Sequence, residues 1–225
     1  MLHLLLANKN DNYVIFTRRG FDTKKYPAIT NHLNRFRKKL EPKPNDWNED
    51  KNGKWEGRKP GDYTWYDFQD NIAYHPVFEK EKLVWLSISD KPAFALDTKR
   101  MYVTAPAYIM TSNEGLNKYL LALLNSKTLE WYLDKVSSST GQGTNQWSKI
   151  FVEQLPICRI SFEEQKPFIE LVNRILPLTQ SEDYPSNPPK QSQVKALEQE
   201  IDQMVYQLYN LTDEEIRIVK EGVCK

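Results

Sequence analysis

Twelve residues between two apolar stretches, Ser137 to Ser148 (SSSTGQGTNQWS), hold the side chains best equipped for chemistry in this chain. Gly141 and Gly143 have no Cβ, so backbone there can come close to a ligand. Asn145 and Gln146 each carry a donor and an acceptor, the equipment needed to read the edge of a nucleic-acid base. Trp147 offers a stacking face, and Lys149, just beyond the loop, offers a phosphate contact. Gly141, Gln142, Gly143, Thr144, Asn145, Gln146 and Trp147 are therefore the candidate base-reading residues. A plain surface connection between packed elements has a similar composition, so the elements around the loop carry much of the argument.

Those elements are periodic. Leu116, Tyr119, Leu120, Leu123 and Leu124 recur at helical spacing behind a Ser112-Asn113 cap, and Leu129, Tyr132 and Val136 continue the pattern over 128–136. The chain leaves the loop through an apolar segment ending at Leu155-Pro156. Upstream, the β-branched and aromatic runs 83–88, 93–97, 101–104 and 107–110 read as short antiparallel strands. Tyr13 to Thr17 reads as a strand ending at the Arg18-Arg19-Gly20 turn. Ile29, Leu33, Phe36 and Leu40 then mark a helix that ends at Pro42 and Pro44.

Downstream, Ser161-x-x-Glu164 is a capping box opening a helix that closes at Leu176-Pro177. Val194, Leu197, Ile201, Met204 and Leu208 form a heptad-like seam, expected to dock on the helix over 163–176. Thr212-x-x-Glu215 caps a last short helix. The fold class is α+β: a curled, mainly antiparallel sheet with packed helices, then a helical C-terminal tail. The expected domains are 1–156 and a tail over 157–225 packing on it, with 45–62 and 179–191 as exposed connectors.

Charge is uneven although the net charge is only +1. From Arg18 to Lys59 there are thirteen Lys/Arg against six Asp/Glu, and from Ser161 to Gly222 six against twelve. A basic front half and an acidic tail suit a protein that meets nucleic acid on one side, although solvated faces also produce such runs. Arg18, Arg19, Arg35, Lys38, Lys39 and Lys149 are the candidate phosphate contacts. Trp47 and Trp55 stand out in the polar 45–62 stretch, where they are expected to anchor the loop.

At 40% apolar and 12% aromatic, the 225 residues can build a proper core. Apolar runs are too short for a membrane span or a signal segment. Cys158 and Cys224 make neither a disulfide framework nor a metal spacing, which points to the cytoplasm. His3, His32 and His75 are scattered, and no metal site is expected. Asn187-Pro188-Pro189 is followed by Lys190, so it lacks the aromatic that would stack on a flipped adenine. Asp97-x-Lys99 with Asp67 or Asp90 is too thin a match for a two-metal nuclease site.

Several of these pieces, in order, resemble the C-terminal specificity domain of TaqI-like DNA methyltransferases and, more distantly, type I restriction specificity subunits. They are Tyr26-Pro27-Ala28-Ile29 with Asn31-His32-Leu33, Trp65-Tyr66, and Glu81 to Trp85 with Ile88-Ser89. The Leu120–Ile157 stretch containing the loop, Glu163 to Phe168, and Ile201 to Ile216 complete the series.

The resemblance implies a binding module rather than an enzyme. It would be the target-recognition domain of a type IIG-like restriction-modification protein, with double-stranded DNA as its partner. The parent would transfer a methyl group from S-adenosylmethionine to adenine N6 in a catalytic domain outside this sequence, and would use magnesium if it also cleaves. No cofactor is expected in this chain itself, and Met1 would begin a fragment or a separately encoded specificity unit. The rival reading is a scaffold domain whose helical tail binds a partner subunit. A third is a complete small nuclease.

Overall fold

The computed structural model describes residues 13–70, 72–91, 93–112, 115–139 and 145–223. They fall into two compact units, one within residues 13–76 and one within residues 77–223. The class is α+β.

In the smaller unit the helix expected from Ala28 to Leu40 is split into α1 (Pro27–Asn34) and α2 (Arg37–Leu40), and neither buries a residue. The break falls where Arg35 and Phe36 bond back three residues, to the His32 and Leu33 carbonyls at 3.3 and 2.9 Å, which overtightens the turn. Glu41 is extended (ψ 130°), as the residue before a proline must be. Tyr13 to Thr17 forms no strand. Tyr13 and Val14 are exposed there, and strand-favouring side chains need a pleated, half-buried surface to join.

The 45–62 stretch is more than a bare connector. Asn48 caps α3 (Glu49–Asn52), its Oδ1 accepting from Asp50 N at 2.9 Å and Lys51 N at 3.3 Å. Trp47 and Trp55 meet edge to face at 4.8 Å, and their indoles donate to the Gly53 and Glu41 carbonyls. Both tryptophans therefore anchor the loop, as expected.

The larger unit begins with β1 (Lys82–Leu86), β2 (Ile88–Ser89), β3 (Ala95–Asp97) and β4 (Ala107–Met110). Central β1 pairs antiparallel with β3 (Val84 opposite Ala95) and with β4 (Val84 opposite Ile109). The expected strand over 101–104 is absent. Next come α4 (Leu116–Leu124), α5 (Lys127–Val136), β5 (Ser138–Ser139), β6 (Asn145–Gln146) and α6 (Lys149–Val152). Gly115, with φ +82°, precedes α4 in place of the expected Ser112-Asn113 cap, and Asn113 lies outside the described residues.

Helix α4 is almost wholly buried: Asn117 and the run from Tyr119 to Leu124 all face protein. Asn125 ends it and uses its amide as a substitute strand. The Oδ1 accepts from Phe94 N at 3.1 Å and the Nδ2 donates to Phe94 O at 3.0 Å, fixing the approach to β3.

The tail contains α7 (Phe162–Thr179), α8 (Pro188–Leu208) and α9 (Asp213–Val223). Both capping boxes form, Ser161 with Glu164 and Thr212 with Glu215. Two expected boundaries are corrected. Helix α7 runs on through Pro177, which sits on the exposed side near the last turn, where a missing N–H costs one bond. The connector is only 180–187, because Pro188 and Pro189 occupy the first turn of α8 with Asn187 as cap, the place where a helix tolerates proline.

The α8 seam packs on α7, α4 and α5 within the same unit. Val194, Leu197 and Ile201 are buried, but Met204 and Leu208 only partly so, while Val205 and Tyr206 are buried in their place. On a straight helix of 3.6 residues per turn an a/d seam drifts about 20° per heptad, so the buried stripe takes in Val205 while Met204 and Leu208 pack at its edge. Residues on both sides of position 156 share one apolar cluster, from Leu83 and Phe94 through Trp147 and Leu155 to Ile175 and Val205.

Candidate functional site

The loop singled out from sequence grows from a three-stranded patch. Strand β6 is central and pairs antiparallel on both edges. Gln146 lies opposite Ile88 of β2 and Ser138 of β5, while Asn145 lies opposite Ser89 and Ser139. Gly141, Gln142, Gly143 and Thr144, which join β5 to β6, lie outside the described residues.

Two indoles fasten this patch to the core. Trp85 in β1 donates its Nε1–H to the Trp147 carbonyl at 2.8 Å. Trp147 donates its own Nε1–H to Ser89 O at 3.1 Å and its backbone N–H to Ser87 O at 2.7 Å. Trp85 also stacks on Tyr108 of β4 at 5.4 Å. The expected stacking role of Trp147 is therefore corrected. Its ring is 1% exposed, with one face given to the core and its N–H to Ser89, so it has no open face for a base. Trp-x-Lys here is an inward anchor followed by an outward cation.

Among the remaining candidates, Gln146 is exposed on the strand that follows the loop. Lys149, in the first turn of α6, is 69% exposed and pairs loosely with Glu153 at 3.4 Å. The other five cations belong to the smaller unit. Arg19 holds the Asp62 carbonyl with Nε and Nη2 at 3.0 and 2.8 Å, and Arg18 reaches His75 at 3.4 Å. Lys38 pairs with Glu56 at 2.9 Å and holds that carboxyl below its ordinary pKa. That pair is 82% and 64% exposed, and surface pairs of this kind contribute little, so Lys38 can exchange Glu56 for a phosphate at small cost. Arg35, in the turn between α1 and α2, and Lys39, in α2, are exposed.

Three polar residues that sequence reasoning passed over hold the scaffold. Arg58 donates Nε to Leu40 O (2.6 Å), Nη1 to Asp67 O (2.6 Å), and Nη2 to Thr64 O and Trp65 O (3.0 and 2.9 Å). It also lies over the Tyr63 ring at 4.6 Å, so this member of the basic run is a structural clamp. Lys82, fully buried, donates to Phe78 O at 2.8 Å and pairs with Asp97. Asp202 accepts from the first N–H of α5, Lys127 N, at 2.9 Å. An odd charge inside an apolar strand (KLVWL) was the available signal for Lys82. The other two had none.

Asp97 also accepts from Lys99 N and Met101 N, both at 2.8 Å, so its carboxylate is taken up by the fold. Among the described residues, no three His, Cys, Asp or Glu side chains come together as a metal-holding group. Gly141-x-Gly143 joins two paired antiparallel strands, whereas a donor-binding glycine loop leads from a strand into a helix. No described helix is long and apolar enough to cross a membrane.

A family model described as the TaqI-like C-terminal specificity domain matches residues 7–157, about two thirds of the chain. No curated protein matches it.

Proposed function

Since the chain belongs to the TaqI-like C-terminal specificity domain family, we propose that it reads the target sequence for a separate adenine-N6 methyltransferase domain, which also cleaves DNA if it carries a nuclease. S-adenosylmethionine, and magnesium for cleavage, would be held by that other domain.

The observation that carries the reading is the exposed Gln146 on a strand paired on both edges and tied to the core through Trp85 and Trp147. A reader must hold its amide to within a fraction of an ångström, and a strand fixed in this way has little freedom left to lose on binding. Gly141, Gln142, Gly143, Thr144, Asn145 and Gln146 would face the bases. Arg35, Lys38, Lys39 and Lys149 would face phosphates, with Arg18 and Arg19 as further contacts.

The scaffold alternative needs a helical tail with a free apolar seam. Val194, Leu197 and Ile201 are instead buried within their own unit, which favours DNA reading. The two roles of the candidate residues separate by mutation. Alanine at Asn145 and Gln146 should remove bidentate base contacts worth about 1–3 kcal/mol each, on the preferred sequence only. Alanine at Arg35 and Lys39 should weaken binding to every duplex and flatten the salt dependence, by about one unit of slope per lost phosphate contact. Equal losses on all sequences from the amide variants would show the loop to be structural.

A further inference from the structure

We propose that the cross-strand row Ile88–Gln146–Ser138 reads an adenine beside a thymine methyl group in the major groove, which extends the DNA-reading proposal above to a base identity. Residues directly opposite one another in antiparallel strands point to the same face, with Cβ atoms about 4.5–5.5 Å apart. Ile88 faces Gln146 across one edge of β6, and Ser138 faces Gln146 across the other. All three are exposed, Ile88 at 49%.

The row thus sets an aliphatic group, an amide and a hydroxyl side by side on one surface. The next residue along β2, Ser89, spends its hydroxyl on Lys91 O at 2.6 Å.

Each member matches one feature of an A·T edge. A glutamine amide donates to adenine N7 and accepts from its N6 amino group, a bidentate fit that guanine reverses at O6. An aliphatic side chain packs on the C5 methyl of thymine, and a hydroxyl bonds either base. Size selects the groove: three strands spaced about 4.8 Å place the outer two about 10 Å apart. That span is too broad for a minor groove of about 6 Å, so the row's tip is left to meet base edges in the major groove. The surroundings explain why Ile88 is exposed at all. Trp85 turns into the core from the same β1–β2 segment, while Leu86 and Ile88 turn outward at 37% and 49%. An aliphatic residue facing out beside a glutamine has its apolar surface covered only when something apolar, here a methyl group, docks there.

The test uses the whole chain and a pool of duplexes with a randomised centre, followed by the enriched site carrying uracil in place of thymine. The wild-type chain should enrich a site with an adenine and an adjacent thymine. Replacing that thymine with uracil should weaken binding about fourfold, the worth of one buried methyl group. Ile88→Ala should bind the thymine and uracil duplexes equally. Gln146→Ala should lose preference at the adenine alone, and Gln146→Glu should shift it toward cytosine, whose N4 amino group a carboxylate accepts. All three substitutions are at exposed positions, and a melting temperature equal to the parent's checks the fold of each.

A wild-type chain that enriches a site but binds thymine and uracil alike overturns this assignment and leaves the DNA-reading proposal standing. So do glutamine variants that keep the adenine preference. No enrichment at all overturns both.

Discussion

The indole N–H of Trp85 meets the backbone carbonyl of Trp147 at 2.8 Å, with both rings about 97% or more buried. This bond ties the strand that carries Gln146 to the central strand of the main sheet, so the position of the proposed reading edge depends on the core. Trp85→Phe keeps an aromatic ring but removes the donor and part of the indole's packed volume. A loss of about 1–3 kcal/mol is expected in urea unfolding. Selectivity between DNA sequences should fall further than total binding. A variant that unfolds like the parent and keeps its selectivity would remove the link between core and edge.

The tail supplies a second test. Leu197→Asp with Ile201→Asp places two charges in the buried α8 seam and should destabilise the larger unit by about 3–5 kcal/mol. A double mutant melting with the parent would mean the seam is open surface, as the scaffold reading requires.

Asp202 gives a dependence on pH with a definite sign. Burial raises its pKa, against the opposing pull of the Lys127 N–H and ammonium. A raised carboxyl favours the folded state while protonated, and that contribution is lost as pH rises from the ordinary carboxylate value through the folded one. Asp202→Asn keeps an oxygen for Lys127 N and carries no charge at any pH. Relative to the parent, it should therefore be more stable at pH 7 than at pH 4 when both are unfolded in urea. The opposite ordering would show that the carboxylate form is the one the fold favours.

Arg58 separates structure from DNA contact within the basic run. Arg58→Ala removes four hydrogen bonds to backbone carbonyls, at least three of them part-buried. Hydrogen exchange should rise across residues 40–67 while amides of α4 and α7 keep their protection. Unchanged exchange across 40–67 would return Arg58 to the list of free cations.

How much of this was legible in the sequence depended on the range of the cause. The capping boxes at Ser161 and Thr212, the helices around Leu120 and Leu129, and the strands at Val84 and Ile109 follow from local pattern, and the structure has them. The strand expected at Tyr13 and the helix expected across Phe36 did not form, and Tyr13, Val14 and Phe36 are all left exposed. Past Ile201 the seam residues Met204 and Leu208 still pack on the core but are only partly buried, because the helical repeat is 3.6 rather than 3.5. In the loop, side-chain type alone made Trp147 a stacking residue. Only its pairing with Trp85, sixty-two positions earlier, shows that it faces inward. Exposed Ile88 passed as one more strand residue because its meaning comes from Gln146 across the ladder.

The central claim, that this chain chooses among DNA sequences, is tested most directly by selection of the unmodified chain against duplexes with a randomised centre, at several salt concentrations. The account predicts enrichment of a single sequence class, with an affinity that falls steeply as salt rises. Recovery of an unenriched pool, or binding indifferent to salt, would contradict it.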